Sequence, residues 1–312
     1  MFIDRLIEKV KEKNNPTVVG LDPKLEYVPG FIKDKALKEH GSGFKGASEA
    51  ILEFNKKIID AVYDIVPAVK PQLAYYEMYG VHGLNAFCET VKYCKSKGML
   101  VIADGKRNDI GTTAQAYSSA YLGFTETSED AQEEAFGADA LTVNAYLGAD
   151  GIRPFIDDCS KYGKGIFILV KTSNKSSGQI QDLTTQDGRK IYEAVADLVN
   201  EWGEEQVGRY GYSNVGAVVG ATYPEQAKIL RKRLKHAYIL VPGYGAQGGS
   251  AKDAANSFND DGLGAIINAS RSIMCAYMSE MWRNTFSEAR FDEACRAEAV
   301  RMREDILKAI GK

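Results

Sequence analysis

Asp104, Lys106 and Asp109 fall within six residues, Asp104-Gly105-Lys106-Arg107-Asn108-Asp109, directly behind the apolar run Met99-Leu100-Val101-Ile102-Ala103. The run has the composition of a fully buried strand, short, apolar and β-branched. Positions i and i+2 of a strand share a face, so Asp104 and Lys106 point the same way. Taking both charges out of water is costly unless they pair or serve chemistry. Composition alone produces D-x-K-x-x-D in about one chain of this length in fifteen to twenty. The motif therefore takes its meaning from the polar residues at other strand ends. Asp22 closes Gly20-Leu21-Asp22-Pro23, where a turn or cap role competes with a functional one. Lys70 interrupts Val69-Lys70-Pro71-Gln72, and a lysine in an apolar run requires a carboxylate partner. Two lysines and three aspartates at one rim suit an anionic substrate and a step in which negative charge leaves or moves.

Two further strand ends supply an anion grip. Val241-Pro242-Gly243-Tyr244-Gly245-Ala246-Gln247-Gly248-Gly249 is a Gly-rich turn whose backbone N–H groups could cradle an anion. Asn268-Ala269-Ser270-Arg271-Ser272 brings an arginine to the neighbouring rim, and a planar guanidinium fork suits phosphate. Lys171-Thr172-Ser173-Asn174 ends another run with a cluster able to hydrogen-bond the amide edge of a heterocycle. Alternation turns Lys171 itself away from the centre. In Thr142-Val143-Asn144, the Thr and Asn could equally satisfy loop backbone groups.

The elements that must hold these residues are eight short apolar runs: Thr17–Leu21, Ala68–Leu73, Met99–Ala103, Ala140–Asn144, Gly165–Val170, Val215–Val219, Tyr238–Val241 and Ala265–Asn268. Amphipathic stretches such as Glu49–Tyr63, Val81–Lys97, Gly188–Trp202 and Pro224–Arg233 lie between them. Strands alternating with helices imply parallel β/α units with right-handed crossovers. Eight of them in 312 residues predict a (β/α)₈ TIM barrel, as a single domain over 1–312, with its site at the C-terminal strand ends. The loops after strands seven and eight are then the expected phosphate site. A doubly wound open sheet is the rival, but no G-x-G-x-x-G turn follows the first strand. Pro23–Gly46 is a long connection with room for a short helical insert, and Thr172–Thr185 has the composition of a mobile loop. Met281–Ile310 is predicted helical.

Composition excludes several classes. Apolar content of 45% and charge of 26% are ordinary for a globular protein, and a net charge of −3 gives no reason to expect nucleic acid. Five scattered cysteines without a C-x-x-C pair indicate reduced thiols, and three isolated histidines make a His-based metal site improbable. The N-terminus opens as an amphipathic charged helix instead of a signal sequence, and no apolar run approaches the ~20 residues that cross a bilayer. The expectation is a soluble, cytoplasmic protein.

These motifs, in this order along essentially the whole chain, resemble the orotidine 5′-phosphate decarboxylase family. The block Asp104-Gly105-Lys106-Arg107-Asn108-Asp109-Ile110-Gly111-Thr112-Thr113 and the long first loop are similar to the family's longer, second type. The resemblance implies a cofactor-free homodimer of (β/α)₈ barrels that converts orotidine 5′-monophosphate to uridine 5′-monophosphate, the final step of de novo pyrimidine synthesis. It implies that Asp22 and Lys70 hold the ribose hydroxyls and that Lys70, Asp104, Lys106 and Asp109 form an alternating charged network. It further implies that Asp109, with Ile110 and Thr113, enters the partner subunit's site. By the same resemblance, Thr172 or Ser173 is expected to contact the pyrimidine amide, Gln247 to bridge base and phosphate, and Arg271 to anchor the phosphate.

On that basis Lys106 stabilises a C6 carbanion and delivers a proton to it. Asp104 sits against the departing carboxylate, either destabilising the ground state or positioning Lys106. Two alternatives stand beside this expectation. Magnesium-dependent decarboxylases and aldolases of the same suprafamily act on sugar phosphates and place a Glu at the end of strand two; Lys70 holds that place here and would repel the cation. A non-catalytic phosphate-binding barrel is the other.

Overall fold

The computed structural model describes residues 1–245 and 248–312. Its first element, α1 (Phe2–Lys13), buries Phe2, Ile3, Leu6, Ile7 and Val10, one face at helical spacing, and stops at Asn14 in the left-handed conformation. There follow β1 (Thr17–Leu21), α2 (Gly30–His40), α3 (Phe44–Val62), β2 (Ala68–Pro71), α4 (Ala74–Glu77), α5 (Gly80–Ser96), β3 (Leu100–Arg107) and α6 (Gly111–Tyr121). A short ribbon of β4 (Thr125–Ser128) and β5 (Ala131–Glu133) leads to β6 (Ala140–Val143), α7 (Ala149–Tyr162), β7 (Gly165–Lys171), α8 (Gly178–Gln181) and α9 (Ile191–Gly203). The chain closes with β8 (Ser213–Val219), α10 (Pro224–Arg233), β9 (Ala237–Val241), α11 (Ala251–Ala255), β10 (Ala265–Ala269), α12 (Arg271–Met274) and α13 (Phe291–Ala309).

Eight strands close in parallel, in the order β1-β10-β9-β8-β7-β6-β3-β2, which is the (β/α)₈ barrel expected from the alternation. Two apolar layers hold it. The larger lies between the barrel and its helices. The smaller fills the barrel itself, where inward residues such as Val18, Ile102, Phe167, Tyr238 and Ile266 meet the apolar face of α1. This helix plugs the N-terminal end: Phe2 packs edge-on against Phe167 with ring centroids 6.1 Å apart. The contact requires Gly165, since a Cβ there would lie 2.3 Å from the Phe2 ring. With the bottom sealed, a ligand can enter only from the C-terminal mouth.

Two expectations are corrected, and one element had none. The Pro23–Gly46 connection holds a 3₁₀ turn (Leu25–Tyr27) and all of α2, more than a short insert. The helix of the C-terminal tail begins at Phe291; residues 281–290 form turns around the Trp282–Phe286 ring pair. The ribbon β4–β5 was not anticipated, because its residues are exposed throughout, polar apart from Ala131, and carry no apolar alternation.

Candidate active site

Strand β3 runs past the apolar core and carries the charged residues with it. Its pairing with β6 shifts register between Ala103 and Arg107, and within that irregularity Lys106 adopts φ +48°. A left-handed conformation at a non-glycine residue costs about 1–2 kcal/mol, so surrounding contacts must hold it. They are present. The Lys106 N–H donates to Thr142 Oγ1 at 2.9 Å, and the Lys106 ammonium bonds Asp104 Oδ1 at 2.6 Å. The Thr142 hydroxyl itself donates to Asp104 Oδ1 at 2.9 Å.

Lys70, from β2, completes the centre by donating to Asp104 Oδ2 at 2.5 Å. Both partners are buried, which explains a lysine inside an apolar run. Burial alone would push the Asp104 carboxyl up, but two ammonium groups outweigh it and hold the group well below the usual carboxylate range. Burial would likewise lower Lys70, yet Asp104 and Asp22 together raise it. Asp22, just beyond β1, behaves oppositely to Asp104: burial dominates and raises its pKa despite Lys70 and the Ser270 hydroxyl. Two carboxylates in one mouth thus have their affinities for protons pushed apart.

These residues line a cavity of about 610 Å³ at the C-terminal strand ends. Asp22, Lys70, Asp104, Lys106, Thr172, Ser173 and Arg271 all reach it. Leu169, Val218 and Leu240 give it an apolar wall opposite the charges. Arg271 is exposed at the rim, and among the described residues its guanidinium has no hydrogen-bond or ion-pair partner. The Gly-rich turn departs from the open cradle expected of it. Gly243, Gly245 and Gly248 all have positive φ, and the N–H groups of Gly245, Gly248 and Gly249 bond carbonyls of the turn itself. Gln247 lies outside the described residues.

The Thr172 hydroxyl donates to Asn174 Oδ1 at 2.7 Å and accepts from Gln181 Nε2 at 2.8 Å, so its donor is engaged within the loop. The carbonyl of Ser173 receives the Thr222 hydroxyl at 2.9 Å. Lys171 points away from the mouth, fully buried, onto Asp182 at 2.7 Å and the Tyr223 ring. Asp109, Ile110 and Thr113 do not line the cavity. They sit beside it on the surface, where Ile110 is 53% exposed, and the Asp109 carboxylate caps the Ile110 N–H at 2.8 Å.

Among the polar residues of the cavity that had no assigned role in the sequence are Thr142, Asn268 and Ser270. Asn268 Nδ2 approaches Ser270 Oγ at 3.4 Å, while Asn268 Oδ1 and Asp22 Oδ1 are buried without a partner among the described residues. The available signal was a polar side chain on the inward face of an apolar run. No group of three or more His, Cys, Asp or Glu arranged to hold a metal occurs among the described residues. The five cysteines are unpaired, and no helix of the described chain is long and apolar enough to cross a membrane.

Comparison with known proteins gives consistent findings. A family profile described as orotidine 5′-phosphate decarboxylase / HUMPS matches residues 17–280. The chain is 43% identical over 305 residues to a Rhodopirellula baltica protein named orotidine 5′-phosphate decarboxylase, covering 98% of each. It is 42% identical over 312 residues to a Clostridium perfringens protein of the same name, covering both completely. Its fold is similar to that of the OMP decarboxylase of Leishmania donovani, with a TM-score of 0.72 and 29% identity over 100% of this chain and 99% of that one.

Proposed function

The chain belongs to the orotidine 5′-phosphate decarboxylase / HUMPS family, and from that membership we propose how its barrel mouth divides the work of the reaction. The enzyme converts orotidine 5′-monophosphate to uridine 5′-monophosphate and CO₂ in pyrimidine biosynthesis. Breaking the bond between C6 and its carboxylate leaves an electron pair on C6, with no adjacent carbonyl to delocalise it fully. The barrier must then fall largely through preorganised charge. The Lys106 ammonium stabilises that pair and gives its proton to C6, and solvent later returns a proton to the lysine. Asp104 faces the departing carboxylate and orients Lys106. CO₂, neutral as it leaves, suits the apolar wall of Leu169, Val218 and Leu240.

Asp22 and Lys70 hold the ribose hydroxyls, Thr172 or Ser173 meets the pyrimidine amide, and Arg271 with Gln247 takes the phosphate. Binding at that remote phosphate aligns the reacting end, so a truncated substrate loses turnover as well as affinity. The observation that carries these roles is the Lys70–Asp104–Lys106 array, with contacts of 2.5 and 2.6 Å, in the same cavity as an Arg271 that has no partner among the described residues. A magnesium-dependent lyase fits poorly, because the Lys70 ammonium occupies the carboxylate cluster a cation would need.

We also assign residues 1–312 to one domain, working in the cytoplasm as a homodimer in which Asp109, Ile110 and Thr113 complete the partner's mouth. The exposure of Ile110, with that of Tyr146 and Leu147 after the next barrel strand, supports that arrangement. The test of the reaction is loss of the substrate's ultraviolet absorbance in chelator-treated buffer. Turnover of orotidine 5′-monophosphate without added metal is expected; activity only on a sugar phosphate, abolished by chelator, would overturn the assignment.

A further inference from the structure

Thr142 touches both ends of the reacting pair through one oxygen. The residue is 1% exposed, on β6, and its hydroxyl accepts the Lys106 N–H and donates to Asp104 Oδ1, both at 2.9 Å. That same Oδ1 receives the Lys106 ammonium at 2.6 Å. Lys106 is therefore anchored at its backbone and at its tip, on two acceptors that are bonded to each other. The register shift in the β3–β6 pairing explains why a side chain is needed at all: the regular ladder fails between Ala103 and Arg107. An irregularity of this kind re-aims a side chain, and here it turns Lys106 at φ +48°. Among the described residues the only other non-glycine with positive φ is Asn14, at a helix end where that conformation is common.

We infer that the Thr142 hydroxyl is a positioning group for proton delivery, fixing the backbone pivot of Lys106 and the orientation of Asp104. When substrate enters, the ammonium has to leave Asp104 Oδ1 for C6, while its backbone must stay where it is. The hydroxyl serves both needs. It keeps the pivot bonded and remains as a donor to Asp104 once the lysine has swung away. Lys70 stays on Oδ2 throughout, so it is Oδ1 that would be left without a donor, and the carboxylate would be free to turn about its one remaining bond. This inference rests on the assignment of Lys106 as proton donor.

Thr142→Val preserves shape and removes the hydroxyl; Thr142→Ser keeps the hydroxyl and removes the methyl. Misplacement of about 1 Å at a reacting group costs on the order of 100-fold in rate, and that is the fall in kcat expected for the valine variant. KM and the dissociation constant of uridine 5′-monophosphate should stay within about threefold, because the contacts to ribose and phosphate are untouched. By microscopic reversibility Lys106 also exchanges the C6 hydrogen of bound product with D₂O. That exchange should slow in proportion to kcat, both rates being divided by the number of sites that bind uridine 5′-monophosphate so that an unfolded fraction does not mimic the fall. The serine variant should recover both rates. If the valine variant does not fold, Thr142→Ala carries the same expectation.

Unimpaired kcat in the valine or alanine variant, or a serine variant as slow as valine, would overturn the inference. So would a loss of product affinity as large as the loss of rate. Failure of the unmodified protein to decarboxylate orotidine 5′-monophosphate would instead overturn the assigned reaction.

Discussion

Asp104 and Asp22 lie in one mouth and share Lys70, yet burial and charge move their titrations in opposite directions. Asp104 is held down by two ammonium groups, so its contribution to stability is fully present above the ordinary carboxylate value of about 3.9 and fades only as pH falls below it. Asp22 has its pKa raised by burial. Its ionisation costs the folded state as pH climbs from the ordinary value through the raised one, and below that raised value it cannot serve as a charged acceptor. In the proposed division of labour, then, Asp22 is the first of the two to fail on acidification. The acid limb of kcat/KM should include a step above the usual carboxylate range that Asp22→Asn removes. The substrate phosphate, with a second pKa near 6, titrates in both proteins, so the difference between their profiles isolates Asp22. Identical acid limbs would refute this role. Asp104 and Lys106 are legible in the sequence because charge behind an apolar strand demands a reason. Thr142 is not, since a threonine in a β-run is unremarkable until its two partners are known.

At the scale of elements, the alternation of apolar runs and amphipathic stretches was sufficient for the barrel, because a parallel strand buried on both faces leaves a continuous apolar signature. The same logic misplaced an edge. Strand β3 continues to Arg107, four residues past its apolar run, because Asp104 finds its partners inside the barrel mouth. Self-bonding in the turn after β9 was equally hidden: the glycines announce a turn but not which carbonyls its N–H groups choose. Helix α1 has a period legible from sequence, but only the structure reveals its role as the barrel floor. Leu6 in that helix is fully buried, and Leu6→Ala should cost about 2–5 kcal/mol of stability, read from the midpoint of urea unfolding. KM should be unchanged, because the floor and the mouth lie at opposite ends of the barrel. A shift in KM without loss of stability would mean that α1 couples to the site.

For the whole molecule, the proposed dimer makes a demand that a single barrel does not. If Asp109 serves the partner's mouth, a dimer pairing one Lys106→Ala subunit with one Asp109→Ala subunit holds one intact site and one doubly damaged one. Purified through two different tags, it should show about half the wild-type activity, although each variant alone is inactive; two-fold symmetry fixes that ratio. An inactive mixed dimer would place Asp109 in its own subunit's site. Within each mouth, the proposed proton donor to C6 is Lys106. That role is tested most directly by Lys106→Ala in the absorbance assay, with product binding measured alongside to establish that the site still forms. Turnover of orotidine 5′-monophosphate should disappear while uridine 5′-monophosphate still binds. Turnover near the wild-type rate in that variant would contradict that role.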